Sequence, residues 1–345
     1  MRTEATKSPR ERTKHGIVYR PGMPTLSTAI FLLLAAAFLV FLAARFDLDI
    51  SVALATVYTA DPVALAGALT MYYASFAVRG LRWRMLMQAA DPNGVEPPSL
   101  VACAHYMVLA RFVDSIAWLR LGALYRAYLV SNAGASPFPR AVGTLVAEHY
   151  LDAVVVLAGV VAVAPMLAVG DENTGLAGAA ALAAATITVA TVALLLMHRF
   201  RSALERILPG RVAPYYGQFH EGAFGGMGMR LLPALTALSV VGWAMAAARW
   251  YLALAAIGVS VELPLLVAVS LVNALLAAIP FTPGGLGVVE PGVAGVLAVQ
   301  LTVDDAVAAT LVERAVSYVS LLVIGALLLF GREAVRRHGA GRDVA

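Results

Sequence analysis

Charge is what this sequence has least of. Charged residues make up 13% of the chain, where an ordinary soluble domain carries about 25%. That shortage excludes a sizeable water-soluble domain. Cysteine is nearly missing too: Cys103 stands alone in an apolar stretch, so there is neither a disulfide framework nor a cysteine metal site. No Gly-x-Ser-x-Gly, no HExxH and no pair of metal-binding aspartates occurs, and His105, His149, His198 and His220 lack metal-ligand spacing. A soluble catalytic site has no support, and neither a cofactor nor a metal is expected. What is present is apolar: 61% of the 345 residues are hydrophobic and the mean hydropathy is +0.81. The expected fold class is an all-α polytopic membrane protein.

A membrane-crossing helix needs about 20 apolar residues. Six segments qualify, roughly 26–44, 63–81, 141–169, 176–197, 232–256 and 305–330. The first follows a basic tail like a signal peptide, but its length and the spans after it make it a transmembrane helix. Two more apolar regions cannot be straight helices. Residues 99–132 are interrupted by Arg111, Asp114 and Arg120, and 264–300 by Pro280-Phe281-Thr282-Pro283-Gly284-Gly285. Proline removes a donor and glycine loosens the backbone. Both regions fit pairs of short helices that enter and leave by one side.

The positive-inside rule gives one path. The basic N-terminal tail, Arg79, Arg82 and Arg84 at the inner end of the second span, the arginines at 199–211 and the basic C-terminal tail lie inside. Asp47, Asp49, Asp61, Asp171, Glu172 and Glu262 lie outside. The expected organisation is a cytoplasmic tail at 1–24, a membrane domain at 25–331 and a cytoplasmic tail at 332–345. Within the domain, 199–230 is an interfacial linker.

The two halves share landmarks in order. Arg82-Trp83, Val95-Glu96, Leu121-Gly122, Ala141-Val142 and Glu148 are followed by Arg249-Trp250, Val261-Glu262, Leu286-Gly287, Ala306-Val307 and Glu313. From Leu121 to Glu148 the match is gapless, at an offset of 165 residues. We expect repeats at about 25–170 and 174–331. The path above gives them opposite orientations, the plan of many secondary transporters.

A charge at the bilayer centre costs at least about 2.5–3.5 kcal/mol on insertion scales, so each needs a partner, a cavity or a role. Three groups stand out: Arg111, Asp114, Arg120 and Arg126; Glu148, His149 and Asp152; and Glu290, Glu313 and Arg314. Glu148 and Asp152 are four apart, on one helix face. One outcome is a polar cavity whose arginines hold an anionic head group by bidentate hydrogen bonds. The other is a set of buried ion pairs locking helices together. Asn273 and Tyr318 join the candidate substrate contacts. Pro283, Gly284, Gly285 and Gly287 either offer N–H groups to an anion or form a turn needing positive φ. Arg82-Trp83 and Arg249-Trp250 are expected to be interfacial anchors.

These landmarks resemble one family, the transmembrane flippase region of the lysylphosphatidylglycerol synthase/flippase proteins, stand-alone members included. The resemblance covers nearly the whole chain after the N-terminal tail. It is carried by Pro280-Phe281-Thr282-Pro283-Gly284-Gly285-Leu286-Gly287-Val288-Val289-Glu290, by Gly122-Ala123-Leu124-Tyr125-Arg126-Ala127-Tyr128-Leu129, and by Glu148-His149-Tyr150-Leu151-Asp152. Arg82-Trp83 and Glu313-Arg314 with Tyr318 also fit. Ala123 and His149 depart from the family's usual acid and arginine. The resemblance implies movement of a lipid with a charged head group between leaflets of the cell membrane; synthesis is not implied. The expected partner is a phospholipid, an aminoacylated lipid or a polyprenyl-linked lipid. A homo-oligomer is compatible with this and nucleic acid is not expected. The alternatives are an integral-membrane enzyme or accessory subunit handling a polyprenyl-linked sugar or glycolipid, and a scaffold with every internal charge paired.

Overall fold

The computed structural model describes residues 58–91, 94–117, 120–167, 185, 188–189, 191–278 and 282–329. The first expected span, most of the fourth, both tails, Trp118, Pro280 and Phe281 lie outside the described residues. The described residues form helices and turns, with no strand among them.

Four helices come first: α1 (Pro62–Ala90), α2 (Leu100–Ile116), α3 (Gly122–Asn132) and α4 (Phe138–Leu167). Two shorter helices, α5 (Arg201–Ile207) and α6 (Ala213–Gly225), occupy the expected linker. Four more follow: α7 (Leu232–Ala256), α8 (Leu263–Ala278), α9 (Val289–Leu297) and α10, which starts at Val303 and runs through a π turn at Ala315–Val319 to Leu329. Each set therefore reads long, short, short, long. Three helical stretches among the described residues are long and apolar enough to cross a membrane: Phe138–Ala162, Leu232–Ala256 and Val303–Leu329. They coincide with three of the six expected spans.

Local chemistry explains the starts and breaks. α1 begins where the Asp61 carboxylate accepts the N–H groups of Val63 and Ala64, with Pro62 in the first turn. Asp61→Ala should cost about 1 kcal/mol, to be measured as a lower unfolding midpoint in detergent. The second region breaks where glycine demands it: Gly284, Gly285 and Gly287 have φ of 62°, 74° and 78°. In the first region the break differs from the expectation. Arg111 and Asp114 lie inside α2, which ends only at Ile116, and α3 starts at Gly122. There Asp114 reaches forward to accept the Gly122 N–H at 2.8 Å. A charge on one face of a helix interrupts hydropathy without interrupting the backbone.

Each set of four has a core built on a fully buried tryptophan. Trp83 packs with Cys103, Ala127, Val130 and Leu145, and Trp250 with Leu265, Val293, Leu297 and Ala306. Both tryptophans are 0% exposed, and Arg82 and Arg249 beside them are buried. The expectation that these pairs anchor an interface is therefore corrected. Arg79 and Arg82 are not at a helix end either, because α1 continues to Ala90.

α1 and α7 pack against each other in opposite directions. The Asp61 N–H donates to the Ala256 carbonyl at 2.8 Å, the Arg249 guanidinium lies 5.3 Å from the Tyr72 ring centre, and Arg79 sits 5.5 Å from that of Trp243. At the far end Leu86 meets Leu235. The linker helix α6 lies against α4 so closely that Gly222 meets the Arg140 carbonyl and Gly143 the Phe219 carbonyl. Arg140 ties this end together, with Asp91 at 3.0 Å and Glu221 at 2.8 Å.

Candidate functional site

Six helices turn polar side chains into one cavity of about 410 Å³. Their spacing is helical, at three, four and seven residues, which puts each contribution on one face. α1 offers Tyr72, Phe76 and Arg79; α2 offers Met107, Arg111 and Asp114; α4 offers Glu148, Asp152 and Val156. From the second half come Gly242, Met245 and Arg249 of α7, and Ser270, Asn273 and Ala277 of α8. Arg120 at the break and Arg126 of α3 complete the wall. Phe76 is the middle residue of α1 and Met245 adjoins the middle of α7, so the cavity lies at the mid-height of both.

An ion-pair network forms its back. Arg82 donates to Asp152 Oδ1 at 2.5 Å and Oδ2 at 2.8 Å, to Glu148 Oε1 at 3.0 Å and to Ser239 Oγ at 2.5 Å. Arg126 donates to Glu148 Oε2 at 2.5 Å, and its guanidinium lies 4.3 Å from the Trp83 ring centre. The Trp83 indole N–H is satisfied by Thr144 at 3.0 Å. Arg79 reaches Asp152 more loosely, at 3.5 Å. Across the cavity Arg249 pairs with Glu313. His149 donates from Nδ1 to the Leu145 carbonyl at 2.6 Å.

Arg111 and Arg120 differ from these. Both line the cavity, and neither forms an ion pair with a carboxylate among the described residues. Arg111 lies beside Tyr72, whose hydroxyl donates to the Ser317 carbonyl at 2.8 Å.

The structure thus brings together Arg111, Asp114, Arg120, Arg126, Glu148, His149, Asp152 and Asn273. The other candidates stand apart from the lining. Glu290 pairs with Arg314 at 2.9 Å and accepts the Gly287 N–H at 2.7 Å. The Gly285, Leu286 and Val288 N–H groups go to Thr282, Pro283 and Gly285 carbonyls. The turn's donors are therefore engaged internally, and Pro283, Gly284, Gly285 and Gly287 shape a turn. Gly284 is pressed against the Tyr318 ring, and the Tyr318 hydroxyl donates to the Ser115 carbonyl at 2.9 Å. Glu313 acts on the cavity only through Arg249.

Sequence reasoning missed Arg79, Arg82 and Arg249 as parts of the site. One signal was available. Apolar residues continue past each arginine toward a helix end, as in Met85-Leu86-Met87 and Tyr251-Leu252-Ala253-Leu254, which places the charge inside the helix.

The model of the lysylphosphatidylglycerol synthase TM region matches residues 26–325. The chain belongs to that family. It is a multi-pass membrane protein of this family, and the match spans every helix of the site. A UPF0104 membrane protein of Methanocaldococcus jannaschii is 24% identical over 221 residues, which cover 64% of this chain and 93% of the relative.

Proposed function

We propose that this protein moves a lipid with an anionic or zwitterionic head group between the leaflets of the cell membrane, through the cavity between two inverted repeats. The observation that carries this is the pair Arg111 and Arg120, without carboxylate partners in a cavity at helix mid-height. At that depth an unpaired guanidinium costs several kcal/mol, and a phosphate supplies the partner in bidentate form. A scaffold would pair all its charges and close the space. A membrane enzyme would keep a carboxylate free beside the head group; Glu148 and Asp152 are each held by two arginines, and Asp114, which forms no ion pair among the described residues, accepts the Gly122 N–H.

Three observations support the inverted relation. The equivalent helices α1 and α7 are antiparallel. The pair Arg82–Glu148 recurs as Arg249–Glu313 at matching positions of the two halves. Arg120, at the first break, has φ 51°, and Gly285, 165 residues on, has φ 74°. Two halves of opposite hand give one site a route to each side. The positive-inside path then puts both termini in the cytoplasm.

The test is reconstitution into vesicles with fluorescent phosphatidylglycerol, reading leaflet transfer by an impermeant quencher. Transfer should exceed that of protein-free vesicles, and the double variant Arg111→Gln/Arg120→Gln should lose at least tenfold of it while remaining folded. If correctly folded protein transfers no anionic phospholipid and no polyprenyl phosphate, the proposal fails.

A further inference from the structure

Counting charge around the cavity gives an uneven result. Arg79, Arg82, Arg111, Arg120, Arg126 and Arg249 face Asp114, Glu148, Asp152 and Glu313, six cations against four carboxylates. Every one of those carboxylates is engaged. Glu148 is shared by Arg82 and Arg126, Asp152 by Arg82 and Arg79, Glu313 by Arg249, and Asp114 accepts the Gly122 N–H. The surplus falls on Arg111 and Arg120.

The backbone at Arg120 makes a second, independent point. Its φ of 51° is left-handed, a conformation that non-glycine residues adopt at a cost. In the second half the same position holds Gly285, also left-handed. Glycine would be the residue of least strain at 120 as well. An arginine held there against that preference points to a role for its side chain.

The third observation is a groove beside the cavity. A space of about 530 Å³ lies over α3, α4 and the helical residues 191–199, walled by Leu124, Val142, Leu145, Val146 and Leu194. Three residues line both spaces: Ala123, His149 and Ala153. The apolar groove therefore adjoins the polar cavity across two alanines and the His149 ring. In a bilayer such a surface takes a hydrocarbon chain, and its length of wall next to a cationic cavity fits a molecule with both parts.

We infer that the cavity selects lipids by the net negative charge of their head groups, with Arg111 and Arg120 as the selecting residues and the α3–α4 groove as the seat of the lipid chain. This rests on the reading that the cavity holds a lipid head group. A head group bearing an unpaired ammonium finds Glu148, Asp152 and Glu313 already paired with arginines, and meets Arg111 and Arg120 with Asp114 as the one carboxylate beside them. Rejection of the wrong head group thus comes from repulsion as much as selection of the right one comes from attraction. The same phosphate chemistry in a free head group lacks the chain, so it gains nothing from the groove.

The experiment is lipid competition on the full chain in detergent, with occupancy read by native mass spectrometry. The probes are phosphatidylglycerol, phosphatidylcholine, lysyl-phosphatidylglycerol and free glycerol 3-phosphate. Phosphatidylglycerol should exceed lysyl-phosphatidylglycerol at least tenfold, with phosphatidylcholine between them. Arg120→Gly and Arg111→Gln should each cut that ratio several-fold, and Arg120→Gly should unfold no earlier than the parent, because glycine relieves the left-handed backbone. Ala153→Phe, which fills the junction, should lower phosphatidylglycerol occupancy and leave glycerol 3-phosphate unchanged. Equal occupancy by the cationic lipid, or an unaltered ratio in a folded Arg120→Gly protein, overturns the charge selection. Glycerol 3-phosphate binding as tightly as the lipid, or an Ala153→Phe protein that binds lipid normally, overturns the groove. Charge-selective binding without leaflet transfer would sink the transport reading and leave this one standing; transfer without charge preference would do the reverse.

Discussion

Replacing Glu148 by glutamine is expected to destabilise the protein by about 3–5 kcal/mol, the cost of breaking a buried ion pair by removing one partner. Glu148 is the shared acceptor of the cavity's back wall, taking Arg82 on one oxygen and Arg126 on the other. Without its charge Arg82 keeps Asp152, at 2.5 and 2.8 Å. Arg126 keeps no carboxylate: its remaining contacts are the Trp83 ring and the Met107 sulfur. That guanidinium is buried, so losing its carboxylate leaves a buried charge without compensation. The cost should therefore fall on Arg126, which gives a sharper test than the single variant. The double variant Arg126→Met/Glu148→Gln removes the stranded charge and should be more stable than Glu148→Gln alone. Unfolding midpoints of the two singles and the double, in one detergent, form the cycle. A double variant less stable than Glu148→Gln would mean that Arg126 has another acceptor.

The second large effect lies away from the cavity. Gly222→Ala should cost about 3 kcal/mol or more, at the upper end for overpacking. A methyl group there would press directly on the Arg140 carbonyl oxygen, and backbone cannot swing aside as a side chain can. The contact is one of two that close α6 onto α4, the other being Gly143 against the Phe219 carbonyl. A methyl group added at Gly217, on the same helix, would meet only the Glu205 carboxylate, at 3.9 Å. Gly217→Ala makes the same change in helix propensity without the clash, and should be neutral or stabilising by up to about 1 kcal/mol. Equal midpoints for the two variants would show that the α4–α6 approach carries no stability. A lower midpoint for Gly222→Ala alone, together with reduced Arg140–Glu221 pairing, is the expected result.

The two halves contributed unequally to the site. The first-half candidates Arg111, Asp114, Arg120, Arg126, Glu148, His149 and Asp152 all line the cavity, while Glu290, Glu313, Arg314 and Tyr318 of the second half are spent on internal pairs and a hydroxyl–carbonyl bond. Nothing in the residue types foretold this. Glu148 pairs with Arg82 and Glu313 with Arg249, yet Glu148 lines the cavity itself while Glu313 does not and only its partner Arg249 does.

Much was legible in the sequence because it depends on neighbours along the chain. Scarcity of charge determined a membrane protein. Runs of apolar residues determined where long helices lie, since a span must satisfy its own backbone hydrogen bonds. The glycines at 284, 285 and 287 marked the second turn, because only there does positive φ come cheaply. What the sequence could not decide was which charge meets which. Helices that are apolar all round carry little facial pattern, so Arg82 and Arg249 looked like the ends of spans. Their partners Glu148 and Glu313 are 66 and 64 residues away, and only the packing of α1 on α4 and α7 on α10 brings them within ion-pair distance. Coulomb attraction is steep at a few ångströms and heavily screened beyond. Tertiary structure alone therefore separated the arginines that hold the helices together from Arg111 and Arg120, which line the cavity without a carboxylate ion pair among the described residues.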